Sequence, residues 1–242
     1  MHDGPDEPRG GAKQPVRPLD AAERRVLGVL IEKGKTTPDQ YPLSLNAVVT
    51  GCNQKSNRDP VMSLDEESAS RALGTLRHSG AVAEVFGSGK IPRYRHLAYE
   101  WLGVGKEELA IMGELLLRGE QSEGDLRGRA SRMDPIADLD TLRGLLDGLA
   151  TRGLVVWLSP PGRGRMLTHG LLPPEKLEKV RAQLGMGGGS AAGVAAESEA
   201  ASPRPVGAAA EDRAVGPLDR RVAELEAAVA ELRERIAALE DR

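Results

Sequence analysis

The sequence predicts a mainly α-helical protein with small β-hairpins: two tandem winged-helix (helix-turn-helix) units followed by a C-terminal coiled-coil helix. Three observations predict it. Residues 19–100 carry the order helix, helix, helix, hairpin, which is that of a winged helix. Residues 101–172 repeat that order, with segments that align to the first copy. Residues 218–242 carry a heptad pattern.

Bulk composition sets the frame. The chain has 242 residues, 40% of them apolar but only 2% aromatic, so its cores must be aliphatic. A net charge of −3 argues against a protein that coats nucleic acid by charge alone. The single cysteine, Cys52, cannot form an internal disulfide and fits a reducing compartment. Residues 1–18 are Pro, Gly and charge without periodicity, which predicts a disordered arm without the apolar core of a secretory signal. With no run near the roughly 20 apolar residues of a membrane span, the expected location is cytoplasmic.

Order is expected from Leu19. Asp20 with Glu23 forms a near capping box, and Val26, Leu27, Leu30 and Ile31 make one apolar helical face that stops at Gly34. Pro38 and Pro42 keep the next stretch out of a helix. Ser44 caps a short second helix that buries Leu45, Val48, Val49 and Cys52, the cysteine reading as a small core residue. Asn53 to Pro60 is a polar loop, and Val61-Met62 a possible strand. A third helix is expected to open at Ser63 with Glu66 at N3, burying Ala69, Ala72, Leu73 and Leu76. Val82–Phe86 and Ile91–Leu97 have strand character around the turn Gly87-Ser88-Gly89-Lys90.

The repeat is explicit. ERRVLGVLIEKG (23–34) aligns without gaps to ELAIMGELLLRG (108–119), including the internal glycines Gly28 and Gly113. RALGTLRHSGAVAEV from Arg71 matches GLLDGLATRGLVVWL from Gly144. From Gly34 to Gly80 is 46 positions, and from Gly119 to Gly153 is 34, so the second copy lacks 12 residues in its middle segment. That copy's second helix falls within Ser122–Arg132, and its third buries Leu142, Leu145, Leu146 and Leu149. Its hairpin runs from Leu154 to His169. A short helix at 173–184 and a Gly/Ala/Ser/Pro-rich linker at 185–217 follow. In the tail, Val222, Val229 and Ile236 occupy heptad a, and Leu218, Leu225, Leu232 and Leu239 occupy d. That pattern favours a parallel two-stranded coil and hence a homodimer over a helix docked on the body.

TTPDQYPLSLNAVVTGCNQKSNRDPV, together with LLLRGEQSEGDLRGRASRM (Leu115 to Met133), resembles the YceH-like family of bacterial proteins across Leu19 to Leu172. The resemblance implies tandem winged helices and carries no activity with it. Ser122-Glu123 stands where Thr-Pro is usual in that pattern, and Gly51 where Ala is usual.

No catalytic, cofactor or metal constellation is visible. His2, His78, His96 and His169 lack partners at metal-ligand spacing, and no Gly-rich loop with a Lys opens a helix after a strand. The expected function is non-enzymatic. The leading reading is binding of double-stranded DNA as a transcription regulator does, with the third helix in the major groove. Ser70, Arg71 and Arg77 would lie on its exposed face, Lys55, Asn57 and Arg58 would meet phosphates, and Lys90, Arg93, Arg163 and Arg165 would lie on the wings; the structural alternative for Asn53, Gln54, Asn57 and Arg58 is that they tie the long turn to its own backbone. The rival reading is a protein-interaction adaptor. It is favoured by 11 Lys and Arg against 10 Asp and Glu in residues 20–100, and by Asp65-Glu66-Glu67 at the start of the third helix.

Overall fold

The computed structural model describes residues 16–86 and 91–187. They form a mainly helical body with two small three-stranded antiparallel sheets. In the first repeat, α1 (Ala21–Thr36) is followed by a 3-10 turn (Pro38–Gln40), β1 (Leu43–Ser44), α2 (Leu45–Cys52), α3 (Glu66–His78), β2 (Val82–Phe86) and β3 (Pro92–His96). A connecting α4 (Ala98–Leu102) leads to the second repeat: α5 (Lys106–Arg118), β4 (Gln121–Ser122), α6 (Glu123–Ala130), α7 (Leu139–Thr151), β5 (Val155–Trp157) and β6 (Met166–His169). The helix α8 (Pro174–Gly187) follows. The heptad residues 218–242, residues 188–217 of the linker expected at 185–217 and residues 1–15 lie outside the described residues, α8 taking in the linker's first three; no described helix is long and apolar enough to cross a membrane.

Local chemistry starts the elements where the sequence suggests, with instructive exceptions. The Asp20–Glu23 capping box forms, and Ser44 and Ser122 cap α2 and α6. The third helix opens at Glu66 with Asp65 as its cap, two residues later than Ser63 as the cap would have it. Asn53 explains the delay: its amide takes both the N–H and the C=O of Leu64, at 2.7 and 2.8 Å, and holds that residue out of a helix. Val61-Met62 forms no strand, because the flanking backbone is already committed: Arg25 takes the Pro60 carbonyl at 2.6 Å and Asn53 takes Leu64. α1 runs two residues past Gly34, to Thr36.

Two strands were not legible in the sequence. β1 and β4 are two residues long, and each joins its hairpin to make the sheet orders β1-β3-β2 and β4-β6-β5. Leu43 pairs with Tyr94, and Gln121 with Leu167. These pairings refine the comparison of the copies. Gly34 matches Gly119, 85 positions on; Ser44 matches Ser122, 78 on; Gly80 matches Gly153, 73 on. Seven of the extra residues therefore enter before α2 and five after it.

The repeats share one core. Its centre is the crossing of α1 with α5, where the one-faced helices expected from the sequence prove buried on all sides. Val26 to Ile31 and Leu109 to Leu117 are buried without a break, because each helix packs against its own repeat on one side and the other repeat on the opposite side. The two internal glycines make the crossing close. A Cβ at Gly28 would stand 2.9 Å from Leu117 Cγ and 3.2 Å from Leu116 Cβ, and one at Gly113 would stand 2.7 Å from Ile31 Cγ2. Since Ile31 and Leu116 are equivalent positions, the contact is a pseudo-two-fold one, self-complementary as in a symmetric dimer.

Both enlargements of the first copy have partners. In the one before α2, the Tyr41 hydroxyl accepts the His96 N–H at 2.5 Å. The one after α2 reaches the other repeat: the Asp59 N–H donates to the Leu117 carbonyl at 3.0 Å, and Arg118 Nη2 donates to Asn57 Oδ1 at 2.5 Å. Leu19, whose N–H donates to the Leu171 carbonyl at 2.9 Å, and Lys35, 2.5 Å from Asp134, complete the join.

Candidate functional site

α3 buries Ala69, Ala72, Leu73 and Leu76, as its periodicity requires, and exposes Ser70, Arg71, Gly74, Thr75, Arg77 and His78. Its two arginines are matched by carboxylates. Arg71 Nη1 lies 2.5 Å from Glu67 Oε1 one turn back, and Arg77 Nη2 lies 2.6 Å from Glu84 Oε2 on β2. Asp65, held below its usual pKa by hydrogen bonds from Ser68, adds a further negative charge at the helix start.

The adjoining hairpin carries two arginines, Arg93 and Arg95, that have no carboxylate partner among the described residues. β3 alternates, with Tyr94 inward and Arg93 and Arg95 outward. Arg93 donates to the Pro42 carbonyl at 2.8 Å. Past them, at the hairpin's far end, Phe86 is 67% exposed and Ile91 70% exposed. Phe86 is the only phenylalanine in the chain. In a protein so poor in aromatics its place at a strand end was a readable signal, and the sequence reading did not use it. Lys90 lies outside the described residues, in the 87–90 turn.

The polar loop does not join this surface. Arg58, expected to meet phosphates, is buried with its side chain 0% exposed. All five of its N–H donors are spent: Nε on the Gly51 carbonyl, Nη1 on Glu32 Oε1 and the Asn57 carbonyl, Nη2 on Glu32 Oε2 and Gln54 Oε1. With Arg25, whose Nη1 donates to the Cys52 carbonyl at 3.0 Å, it terminates α2. Asn57 sits at φ 59° and faces Arg118. Arg118 also lies 3.0 Å from Glu114, an ion pair whose angles fall short of a hydrogen bond. Lys55 is exposed and lines a cleft of about 650 Å³ with Arg129 and Arg132 of the second repeat.

The second repeat's counterpart is acidic and self-paired. Asp138 caps α7, Arg143 bonds Glu123 and Asp140, each at 3.2 Å, and Arg152 pairs with Glu108. Arg165 stacks 3.5 Å over the Trp157 ring, leaving Arg163 as the exposed cation of that hairpin. The predicted set is thus dispersed: Ser70, Arg71 and Arg77 are exposed on α3, Arg93 lies on the hairpin on the side away from Tyr94 and Glu84, and Lys55, Asn57, Arg58, Arg163 and Arg165 stand elsewhere.

Cys52 is buried beneath α1, and burial pushes its thiol up to about 12, the setting of a core residue. His96 and His169 are equivalent positions, opposite Val82 and Val155 in their hairpins. Each accepts at Nδ1 a backbone N–H two residues on, from Ala98 at 3.3 Å and Leu171 at 3.2 Å. Burial, reinforced by Lys35 and by Arg24 respectively, depresses them to about 4 and about 3. Both are therefore neutral in the folded chain at neutral pH. Their folded values lie below the ordinary 6.5, so the stability they confer is complete above about pH 6.5 and is lost as pH falls. Within that window each histidine is expected to steepen the loss by up to about 1.4 kcal/mol per pH unit. Urea titrations at a series of pH values should show a shallower slope in His169→Asn, whose amide oxygen can replace Nδ1. An unchanged slope would contradict the assignment.

The fold and this surface define a mainly helical protein of two pseudo-equivalent repeats with mixed-charge exposed faces. The chain belongs to the family described as "Protein of unknown function, DUF480", which matches residues 19–163. It is similar to a UPF0502 protein of Rhodopirellula baltica, 49% identical over 201 residues, covering 81% of this chain and 83% of the relative. It is also 52% identical over 134 residues to one from Geobacter sulfurreducens (55% of this chain, 61% of the relative). A third, from Paracidovorax citrulli, is 44% identical over 176 residues (69% and 75%).

Proposed function

We propose that each repeat is a winged helix, with α3 and α7 in the recognition-helix position and the β2–β3 and β5–β6 hairpins as wings, and that the chain is a protein-interaction adaptor. Its docking face is α3 with the first hairpin. The pairing of that helix's cations carries this reading. Arg71 and Arg77 are each neutralised by a carboxylate, next to the further acids Asp65 and Glu66, while the neighbouring hairpin exposes Phe86 and Ile91. DNA affinity comes mainly from phosphate neutralisation, which such a helix supplies poorly. Exposed aromatic and aliphatic anchors within a polar rim suit a protein partner.

Arg93 and Arg95, without carboxylate partners among the described residues, favour DNA binding as the second reading. Fluorescence anisotropy on random duplex DNA, followed from low to physiological ionic strength, separates the two. The adaptor reading expects no salt-dependent binding. Binding that weakens with salt and disappears in Arg93→Gln/Arg95→Gln would replace it with the DNA reading. In the adaptor reading, a photo-crosslinker at position 93 captures one partner in cells, and Phe86→Asp/Ile91→Asp abolishes the capture at unchanged Tm. We also propose that the heptads of residues 218–242 make the chain a parallel dimer. Light scattering should then give twice the chain mass, falling to one chain when residues 217–242 are removed.

A further inference from the structure

A cleft of about 570 Å³ opens where the two repeats meet α8. Its volume is that of a small-molecule site. The walls are unequally charged. α1 contributes Arg24 and Arg25, α5 contributes Arg118, and α8 contributes Lys176 and Lys179; the acids are Asp59 and Glu120. Arg118 is committed to Glu114. The other four cations have no carboxylate ion pair among the described residues.

The two arginines matter most. Arg25 is 2% exposed and makes hydrogen bonds only to the carbonyls of Cys52 and Pro60, its Nε finding no partner among the described residues. Arg24 donates to the Leu19 carbonyl at 2.6 Å. A buried guanidinium bonded only to neutral carbonyls keeps much of its desolvation cost, and a bound oxyanion offsets it. Burial lowers the pKa of both arginines; in Arg25 repulsion from Arg58 and, less, from Arg24 adds to the shift against Asp59, and in Arg24 the nearby Asp20 and Glu23 oppose it. Beside them, Thr168 is fully buried with its hydroxyl unpartnered among the described residues, and neutral His169, which accepts at Nδ1, carries its proton on Nε2. The rest of the wall is apolar: Leu116, Leu172 and Val180.

We propose that this cleft binds a small amphiphilic anion, its oxyanion head against Arg24, Arg25 and the α8 lysines and its apolar body on Leu116, Leu172 and Val180. The site is independent of the α3 face. It draws on both repeats and on the helix that leads to the C-terminal segment.

Calorimetric titration of the full chain tests it with four probes: octanoate, hexyl phosphate, inorganic phosphate and hexanol. A saturable one-to-one isotherm is expected for at least one amphiphile, and whether octanoate or hexyl phosphate binds tighter identifies the head group. Hexanol and inorganic phosphate are expected to bind at least about tenfold more weakly, since each lacks one half of the recognition. Lys176→Glu/Lys179→Glu, on exposed positions, is expected to keep the Tm and lose about tenfold in affinity. The inference is overturned if neither amphiphile binds, if the double variant binds as well as the parent, or if hexanol or inorganic phosphate binds as tightly as the amphiphiles.

Discussion

Gly113→Val is expected to lower the stability of the chain by about 3 kcal/mol, as overpacking in a dense core does. In a body of this size that is a fall in Tm of roughly 10 °C. The position lies inside α5, where any residue other than proline would ordinarily improve helix propensity by up to about 1 kcal/mol. Packing reverses the sign: the first side-chain carbon alone would come within 2.7 Å of Ile31, a buried side chain with no room to retreat. Gly28→Val should behave alike by pseudo-symmetry, against Leu116 and Leu117. Gly74→Ala is the control. It lies within α3, exposed, with nothing within 4 Å of the added carbon, and should gain a few tenths to about 1 kcal/mol. Calorimetry on the three variants decides the matter. Equal effects at Gly113 and Gly74 would remove the crossing from its central place.

Arg58→Ala is expected to cost about 3–5 kcal/mol, since it strips a partly buried carboxylate, Glu32, of its closer ion-pair partner and leaves the Gly51 carbonyl at the end of α2 without its donor. Arg58→Lys should recover little, because a lysine offers a point charge where the site uses five planar donors. Urea denaturation of Arg58→Ala, Glu32→Gln and the double variant gives the coupling. Additive losses would show that the pair is not the source. At this residue two readings of a polar loop part, a ligand contact or a tie within the turn. An arginine in a loop rich in Asn, Gln, Lys and Ser reads as a ligand contact, yet the same polar neighbours, Gln54 and Asn57, are its internal partners.

The element order, the repeat and the aliphatic cores were all legible in the chain, because each rests on local chemistry. A 3.6-residue period, a capping aspartate or serine and a stopping glycine act within one or two turns. The same locality explains the errors. The α3 start was misplaced because Asn53, far back in sequence, holds Leu64. β1 and β4 were missed because two-residue strands have no period to detect and exist only through their hairpins.

The candidate site was less legible than the fold. A surface is defined by which charges are left over after pairing. Arg77 meets Glu84 only once β2 has folded back beside α3, and nothing in their spacing announces it. The twelve extra residues of the first copy were visible as an enlargement, but their contacts with His96, Leu117 and Arg118 were not. The sequence by itself determined the two copies, their helices and their aliphatic interiors, since these follow from nearest-neighbour periodicity and capping. Only the tertiary structure decided that Gly28 and Gly113 bring the copies together and that Arg58 faces inward, as it decided that Arg24 and Arg25 open onto a shared cleft. These depend on which distant surfaces exclude water together, and packing of that kind leaves no period in the chain.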